Sequence, residues 1–521
     1  MNSTVVKSEH GFRLNGCLKP VLLIVVLLAL AACGDTSDQD ESAPPSGQPV
    51  ENLIIVAIDT VRWDTWWVPE RTGKTDSFSP WVDSSQVMSK AVSPAPWTVP
   101  AVSSVLTGLY PSQHGGGLFD QPVANLDRQV PSAISGAVPT LAEILASVGV
   151  NTAAVSAHPW FDADYGLERG FGRMELRSGA EQITRRGLAW LEQEAPRDEP
   201  FFLYLHYMDA HDPHLDLPAS RAAVEGLDPA ERQRLIGTAP SAACDDPEDD
   251  ICVRYLRYAL ATLALRESMA QLLGELEARG TLDDTLVVLY SDHGEEFHDH
   301  LEMDREWGQD PRGIYGFGHG NSLYQEQLHV PLMLWHPELD PKDVDTPVSL
   351  VDIVPSVLGW MGVSLPEQID YPGRSFARDV EDRDAGAFAW REDSRRFPAE
   401  SDRRLFASGI AYGPEQMAVI SEGFKLIWHE TENAREFFNL AEDPLEQDQL
   451  AGDDVPVADE LDAELGEYFQ WFSSQDYLPP ALSDDVVERL KGVGYLQGVE
   501  SRSDGDESGS EEQGKPEDRT P

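Results

Sequence analysis

The chain has 521 residues, 41% of them hydrophobic and 13 of them tryptophan, which is enough to bury a large core and excludes an intrinsically disordered protein. Its formal charge of -52 at pH 7 excludes nucleic-acid backbones and anionic membrane surfaces as electrostatic partners, because those contacts need a basic face. An anionic substrate approaching such a surface needs a strong local positive centre, and a bound metal ion supplies one.

Lys7, Arg13 and Lys19 precede an apolar run over 21–30 that ends in Leu30-Ala31-Ala32-Cys33. This is the layout of an export signal, too short to persist as a spanning helix. Leu-Ala-Ala-Cys resembles a bacterial lipobox, which implies a signal peptide over 1–32 and a lipid-carrying Cys33 as the first residue of an exported lipoprotein. Gly34 is not an inner-membrane retention residue, so the expected anchor is the outer membrane, with the domain in the periplasm or at the cell surface. Residues 33–50, rich in Asp, Ser, Gly and Pro, read as a flexible tether.

Residues 52–58 form an unbroken apolar run, the pattern of a strand buried on both faces of a parallel sheet. Asp59 stands at its C-terminal end, where open α/β sheets bind ligands. In 94–108, Pro96 and Pro100 stiffen the backbone around Thr98, and the small residues up to Thr107-Gly108 predict a short buried helix starting at Thr98. The amides and dipole of that helix would face an anion at the hydroxyl.

Alternation continues with a helix over 140–148, a strand over 150–156, a helix over 180–193 and a strand over 201–205. The last strand opens into His206, Asp209, His211, Asp212 and His214, three histidines and two aspartates whose density is typical of a metal or phosphate site. An acidic, loop-like insertion over 219–250 follows, then a long amphipathic helix over 254–279 that reads as scaffold. Cys17 leaves with the signal and Cys33 carries lipid, so Cys244 and Cys252 remain to close a small disulfide loop in the insertion. A buried strand over 285–290 ends in Ser291-Asp292-His293-Gly294, where a carboxylate and an imidazole can share one divalent ion with Asp59. His319 follows in Gly318-His319-Gly320-Asn321.

Thr98-Val99-Pro100-Ala101 with Thr107-Gly108, continued by Tyr110-Pro111 and His114-Gly115, resembles the signature of the sulfatase family within the alkaline phosphatase superfamily. Asp59-Thr60-Val61-Arg62-Trp63-Asp64, the segment 201–214, Asp292-His293-Gly294 and Asp352-Ile353-Val354-Pro355 extend the resemblance in order, over residues 52 to about 496. It implies an alkaline-phosphatase-like α/β fold: a doubly wound, mostly parallel sheet flanked by helices, with a smaller C-terminal α+β subdomain. The expected division is a catalytic domain over 51–380, that subdomain over 381–497 and a disordered acidic tail over 498–521.

The resemblance also implies roles, with departures. Asp59, Asp292 and His293 match metal ligands, although Thr60 stands where the family often has a second Asp. Histidine at 293 replaces the usual asparagine and shifts the expected ion from calcium towards zinc or manganese. Thr98 occupies the place of the Cys or Ser that sulfatases oxidise to formylglycine. Oxidation of threonine at its β-carbon gives a ketone, so the remaining nucleophile is a plain hydroxyl activated by metal, as in the phosphodiesterases, mutases and lipoteichoic-acid-synthase-like members of the superfamily. Val102, Leu109 and His319 stand where cationic contacts are usual, and a second ion on Asp209, His214 and His319 would replace them. His211 matches the histidine that contacts the ester, and His211 and His214 remain alternatives for a metal ligand.

The expected activity is metal-dependent hydrolysis or transfer of a phosphate ester through Thr98, with one or two divalent ions. Sulfate-ester hydrolysis at the same site is the alternative. A silent lipoprotein that binds a glycan or lipid headgroup is the reading from another class. No protein partner is inferable.

Overall fold

The computed structural model describes residues 50–492 apart from 120–129, 163, 197–198, 213–217, 241–243, 245, 247–248, 308–314, 377–403, 412–414, 431–432 and 473–481. The export signal, Cys33, the tether, His214 and the acidic tail therefore lie outside the described residues.

Apolar runs without alternation become central strands. The large sheet contains β1 (Asn52–Ile58), β2 (Gln86–Met88), β3 (Asn151–Ser156), β4 (Arg173–Leu176), β5 (Phe201–Tyr207), β6 (Thr285–Ser291), β7 (Leu332–Trp335) and β8 (Lys342–Val344). Its spatial order is β8-β2-β7-β6-β1-β5-β3-β4. From β6 to β4 every pairing is parallel, and β7 runs antiparallel to both β6 and β2.

Register decides where the chemistry falls. Ile58 of β1 lies between Tyr207 and Ser291, while Ala57 lies between His206 and Tyr290. The chain therefore leaves three adjacent parallel strands at one level, with Asp59 and Asp292 each one residue past its strand.

Helices cover both faces, as a parallel sheet requires. One face packs on α1 (Thr98–Thr107), α2 (Leu141–Ser147) and α5 (Ile353–Trp360), with Ala57, Tyr204 and Tyr290 in that core. The other packs on α3 (Ala180–Gln193) and the 29-residue α4 (Asp250–Ala278), with Val56, Leu205 and Leu289 beneath them.

Thr140 starts α2 with a capping box to Glu143. The insertion expected as loop contains two short helices, Pro218–Glu225 and Pro229–Ile236, the second capped by Asp228. The helix expected to begin at 254 begins at Asp250, and Cys252 in its first turn is joined to Cys244 by a disulfide.

Beyond residue 404 the chain builds a separate antiparallel sheet of β9 (Leu405–Ser408), β10 (Gln416–Ser421), β11 (Phe424–His429) and β12 (Ala434–Asn439). One face packs on Leu323, Tyr324 and Leu328, just beyond His319. The other is covered by α6 (Ala458–Phe472) through Leu461, Leu465 and Tyr468. A last helix, α7 (Asp484–Gly492), returns to the first face of the large sheet through Val486 and Leu490. Among the described residues no helix is long and apolar enough to cross a membrane.

Candidate active site and metal centre

Thr98 is the first residue of α1, which is buried along its whole length and ends at Gly108 in the left-handed region (φ 71°). The helix N-terminus thus lies at the hydroxyl, as the two prolines predicted. From the opposite side, Ser291-Asp292-His293-Gly294 leaves β6 in a tight turn, with His293 N–H donating to Asp292 Oδ1 at 2.9 Å. Glycine is required at 294, because a Cβ there would lie 1.9 Å from the carbonyl oxygen of Glu326.

Asp59, Asp292 and His293 each offer a donor atom within 4.8 Å of the others, and all three are fully buried. His293 Nε2 stands 3.5 Å from Asp59 Oδ1, 3.6 Å from Asp292 Oδ2 and 3.3 Å from Thr98 Oγ1. The ring's Nδ1 donates to the carbonyl of Gly294 at 2.9 Å, so Nε2 presents a lone pair to those oxygens.

Asp59 Oδ1 and Asp292 Oδ2 are buried without a hydrogen-bond partner. Burial pushes both carboxyls well above the ordinary carboxylate range, with Glu295 adding to Asp59 and Asp59 adding to Asp292. Burial likewise holds His293 well below the ordinary imidazole value, with His319 adding to the effect. Buried carboxylate and imidazole donor atoms that converge in a dry pocket are the donor set of a divalent cation, and these residues fit one.

The backbone is strained at this point. Thr60, a β-branched residue, has φ 60°, and the turn it makes aims its N–H at Asp292 Oδ1 at 3.3 Å. Such a conformation costs on the order of 1–3 kcal/mol and persists where surrounding structure enforces it. It orients the carboxylate where the family often places a second aspartate.

Around this centre lie imidazoles of two kinds. His319 Nδ1 donates to Glu295 Oε2 at 3.1 Å, and its ring centroid is 4.4 Å from that of His293 and 4.9 Å from that of His211. His211 Nδ1 bonds the carbonyl of Asp212. His211, His293 and His319 therefore share one feature, an Nδ1 tied to an oxygen.

Asp209 Oδ1 accepts the Ala180 N–H at the start of α3 at 3.0 Å, while Oδ2 is buried without a hydrogen-bond partner among the described residues. Among the described residues, Asp209 and His319 join no group of three donors like that of Asp59.

Sequence reasoning counted His206 in the histidine cluster without giving it a role, and missed His158. The predicted strand stopped at 205, whereas β5 continues to Tyr207, placing His206 Nε2 3.2 Å from Asp59 Oδ2. Tyr204 and Tyr290, whose hydroxyls are 2.8 Å apart, stand behind it, with Tyr204 Oη 3.3 Å from His206 Nδ1. Burial lowers His206 to about 4, so it is neutral and donates to Oδ2, leaving Oδ1 for the cluster. His158 Nε2 lies 3.8 Å from the same Oδ2. A polar residue closing an otherwise apolar strand was the available signal for His206.

The C-terminal sheet also reaches the site. Ser408 N–H donates to Pro94 O at 3.1 Å and Trp97 Nε1 to Gly409 O at 2.7 Å, while Ala411 N–H donates to Gly320 O at 2.8 Å. One segment thus holds the loop before Thr98 and the loop after His319.

A family model described as Sulfatase matches residues 51–363. The ulvan-active sulfatase of Formosa agariphila is 23% identical over 508 residues, 88% of this chain and 89% of that protein. A protein solved in complex with its substrate D-glucosamine-2-N,6-O-disulfate superposes with a TM-score of 0.59 at 18% identity, over 83% of this chain and 99% of that one. The phosphonate monoester hydrolase of Agrobacterium radiobacter gives 0.55 at 14% identity, over 82% and 96%. At these identities the structural likenesses bear on the fold alone.

Proposed function

Because the chain belongs to the sulfatase family and is a hydrolase of ester bonds, we propose that it cleaves a phosphate ester of a carbohydrate or similar alcohol, with Thr98 as the nucleophile. The observation that carries this reading is the placement of Thr98 Oγ1 3.3 Å from Nε2 of His293, a member of the buried group that His293 forms with Asp59 and Asp292.

A divalent ion on Asp59, Asp292 and His293 would supply Lewis-acid stabilisation and a lowered hydroxyl pKa, with zinc or manganese suited to the mixed imidazole and carboxylate donors. Thr98 Oγ1 attacks phosphorus in line and releases its proton to solvent. As the oxygen–phosphorus bond to Thr98 forms, the bond to the alcohol breaks, and the alkoxide takes a proton from water. The N-terminal end of α1 favours the added negative charge. His211 Nε2 then accepts a proton from the water that attacks phosphothreonine, and Thr98 Oγ1 recovers a proton as phosphate leaves. The sum is ester plus water to alcohol plus phosphate.

Sulfate-ester cleavage by the same atoms is the second reading, favoured by the ulvan-active sulfatase and by the relative solved with a disulfated glucosamine. Two features weigh against it: Thr98 cannot become an aldehyde, and Val102 and Leu109, at positions where the family usually has cations, are buried apolar side chains. From the sequence alone, we also assign Cys33 a lipid anchor on an exported protein.

The test is turnover of matched aryl phosphate, phosphodiester and sulfate esters by zinc- or manganese-loaded protein, beside Thr98→Ala. Phosphate turnover that falls by roughly 10^4-fold or more in the variant supports the proposal. Sulfate turnover without phosphate turnover supports the second reading. Undiminished phosphate turnover by Thr98→Ala contradicts the assignment of the nucleophile.

A further inference from the structure

Each residue of the buried group commits one side-chain atom to the protein and offers another. Asp292 Oδ1 accepts the N–H of His293 at 2.9 Å and that of Thr60 at 3.3 Å, and Oδ2 is the oxygen without a hydrogen-bond partner among the described residues. His293 Nδ1 is tied to the carbonyl of Gly294 at 2.9 Å. Asp59 Oδ2 meets His206 Nε2 at 3.2 Å, and Oδ1 is the oxygen without such a partner. The set therefore offers a cation two single oxygens and one nitrogen.

Backbone groups make the tethers on Asp292 and His293, whereas side chains make the one on Asp59. Tyr204 and His206 stand on one face of β5, and Tyr290 of β6 lies across Ala57 of the intervening β1. The small alanine leaves room over the middle strand, where the two hydroxyls meet at 2.8 Å. Tyr204 Oη is 3.3 Å from His206 Nδ1, and all three side chains are fully buried.

The proton order follows from the carboxylate. Nε2 of the neutral His206 ring donates to Asp59 Oδ2, so Nδ1 accepts from the Tyr204 hydroxyl. Tyr204, its proton committed, accepts in turn from Tyr290. The reverse order would set a ring lone pair against the carboxylate.

A carboxylate limited to one oxygen suits some ions better than others. Calcium gathers about six to eight oxygens and often takes both from one carboxylate, whereas zinc is satisfied by about four ligands, nitrogen among them.

We propose that His206, locked by Tyr204 and Tyr290, is a positioning residue that holds Asp59 to a single donor oxygen and so selects zinc over calcium at this centre. This rests on the reading of Asp59, Asp292 and His293 as the metal centre of the hydrolase.

The experiment is chelator-competition titration of the metal-free protein with zinc and, separately, with calcium. His206→Leu frees Oδ2. It should weaken zinc binding by about 10–100-fold, the usual effect of losing such a partner, and leave calcium binding undiminished, so the zinc-to-calcium affinity ratio falls by at least about tenfold. Tyr204→Phe should lower the ratio less, and Tyr290→Phe less again. His206→Gln keeps a donor near the place of Nε2 and should restore part of the ratio lost in His206→Leu. The tyrosine variants each remove one hydroxyl and carry the test if His206→Leu does not fold.

A ratio that stays at the wild-type value in Tyr204→Phe and in folded His206→Leu, with both affinities moved by one factor or not at all, overturns selection by His206 and leaves the hydrolase reading standing. Wild type that binds calcium more tightly than zinc does the same. Wild type that binds neither ion overturns the metal centre, and the selection with it.

Discussion

Two buried acidic groups, one at the end of the large sheet and one where the C-terminal sheet meets it, solve the same problem differently. At the second, Glu326 Oε1 pairs with His300 Nδ1 at 2.9 Å, and Glu446 Oε1 with Lys425 Nζ at 2.7 Å. Burial opposes the charge on His300, but Glu326 and then Glu446 raise it to about 10, and His300 in turn holds Glu326 below the ordinary range. Burial still keeps Glu446 raised despite Lys425, so pairing offsets only part of the desolvation cost. At the first, the chain provides imidazoles that burial keeps neutral, and among the described residues no hydrogen-bond partner accompanies Asp59 Oδ1 or Asp292 Oδ2. Buried carboxylates with an internal cation brace a structure, whereas buried carboxylates without one are arranged for a cation from outside.

The largest effect that could break this contrast is at Asp292. Asp292→Asn should reduce turnover by roughly 10^3-fold or more by loss of the ion, yet raise the melting temperature of metal-free protein because one uncompensated buried charge disappears. Turnover assays with elemental analysis, and thermal melts in chelator, check the two halves; a metal-free variant that melts lower than wild type would break the comparison.

Lys425→Met should do the opposite. It leaves Glu446 buried without its cation and should cost about 3–5 kcal/mol in denaturant unfolding, while the metal content of the folded fraction stays that of wild type.

The pH dependence follows from His300. Its folded value of about 10 lies above the ordinary imidazole value of about 6.5, so the stability it contributes is fully present below about 6.5 and is lost as pH rises through about 10. Melting temperature should fall over that window, and Glu326→Gln should flatten the fall. An unchanged slope in the variant would remove the internal cation from the account.

The smallest effect concerns the insertion. Cys244→Ser should cost at most about 2.5 kcal/mol by the loop-closure argument, because the closed loop is short. Its unfolding midpoint should shift modestly with no change in the metal content of the folded protein.

That Asp59, Asp292 and His293 come together was legible in the sequence for a local reason. Asp59 and Asp292 each follow an unbroken apolar strand, and parallel strands must end together on one side of the sheet. Thr98 was legible because Pro96, Pro100 and Gly108 set the helix around it.

Other parts depended on longer range. His206 was cut from its strand because an imidazole does not look like a core residue until Asp59 is known to lie beside it. Glu295 and the segment Ser408–Ala411 act through partners distant in sequence, so no spacing announces them. The two helices of the insertion were partly announced, since Asp228-Pro229 is a cap followed by a first-turn proline, but the acidic composition around them masked the pattern.

Rapid-quench mass spectrometry of the Thr98 peptide during turnover of an aryl phosphate tests the central claim most directly. The account predicts a phosphoryl group on Thr98 that appears with metal and is absent from chelated protein and from Asp292→Asn. An enzyme that turns over the ester while Thr98 stays unmodified and the phosphoryl group appears on a histidine would contradict it.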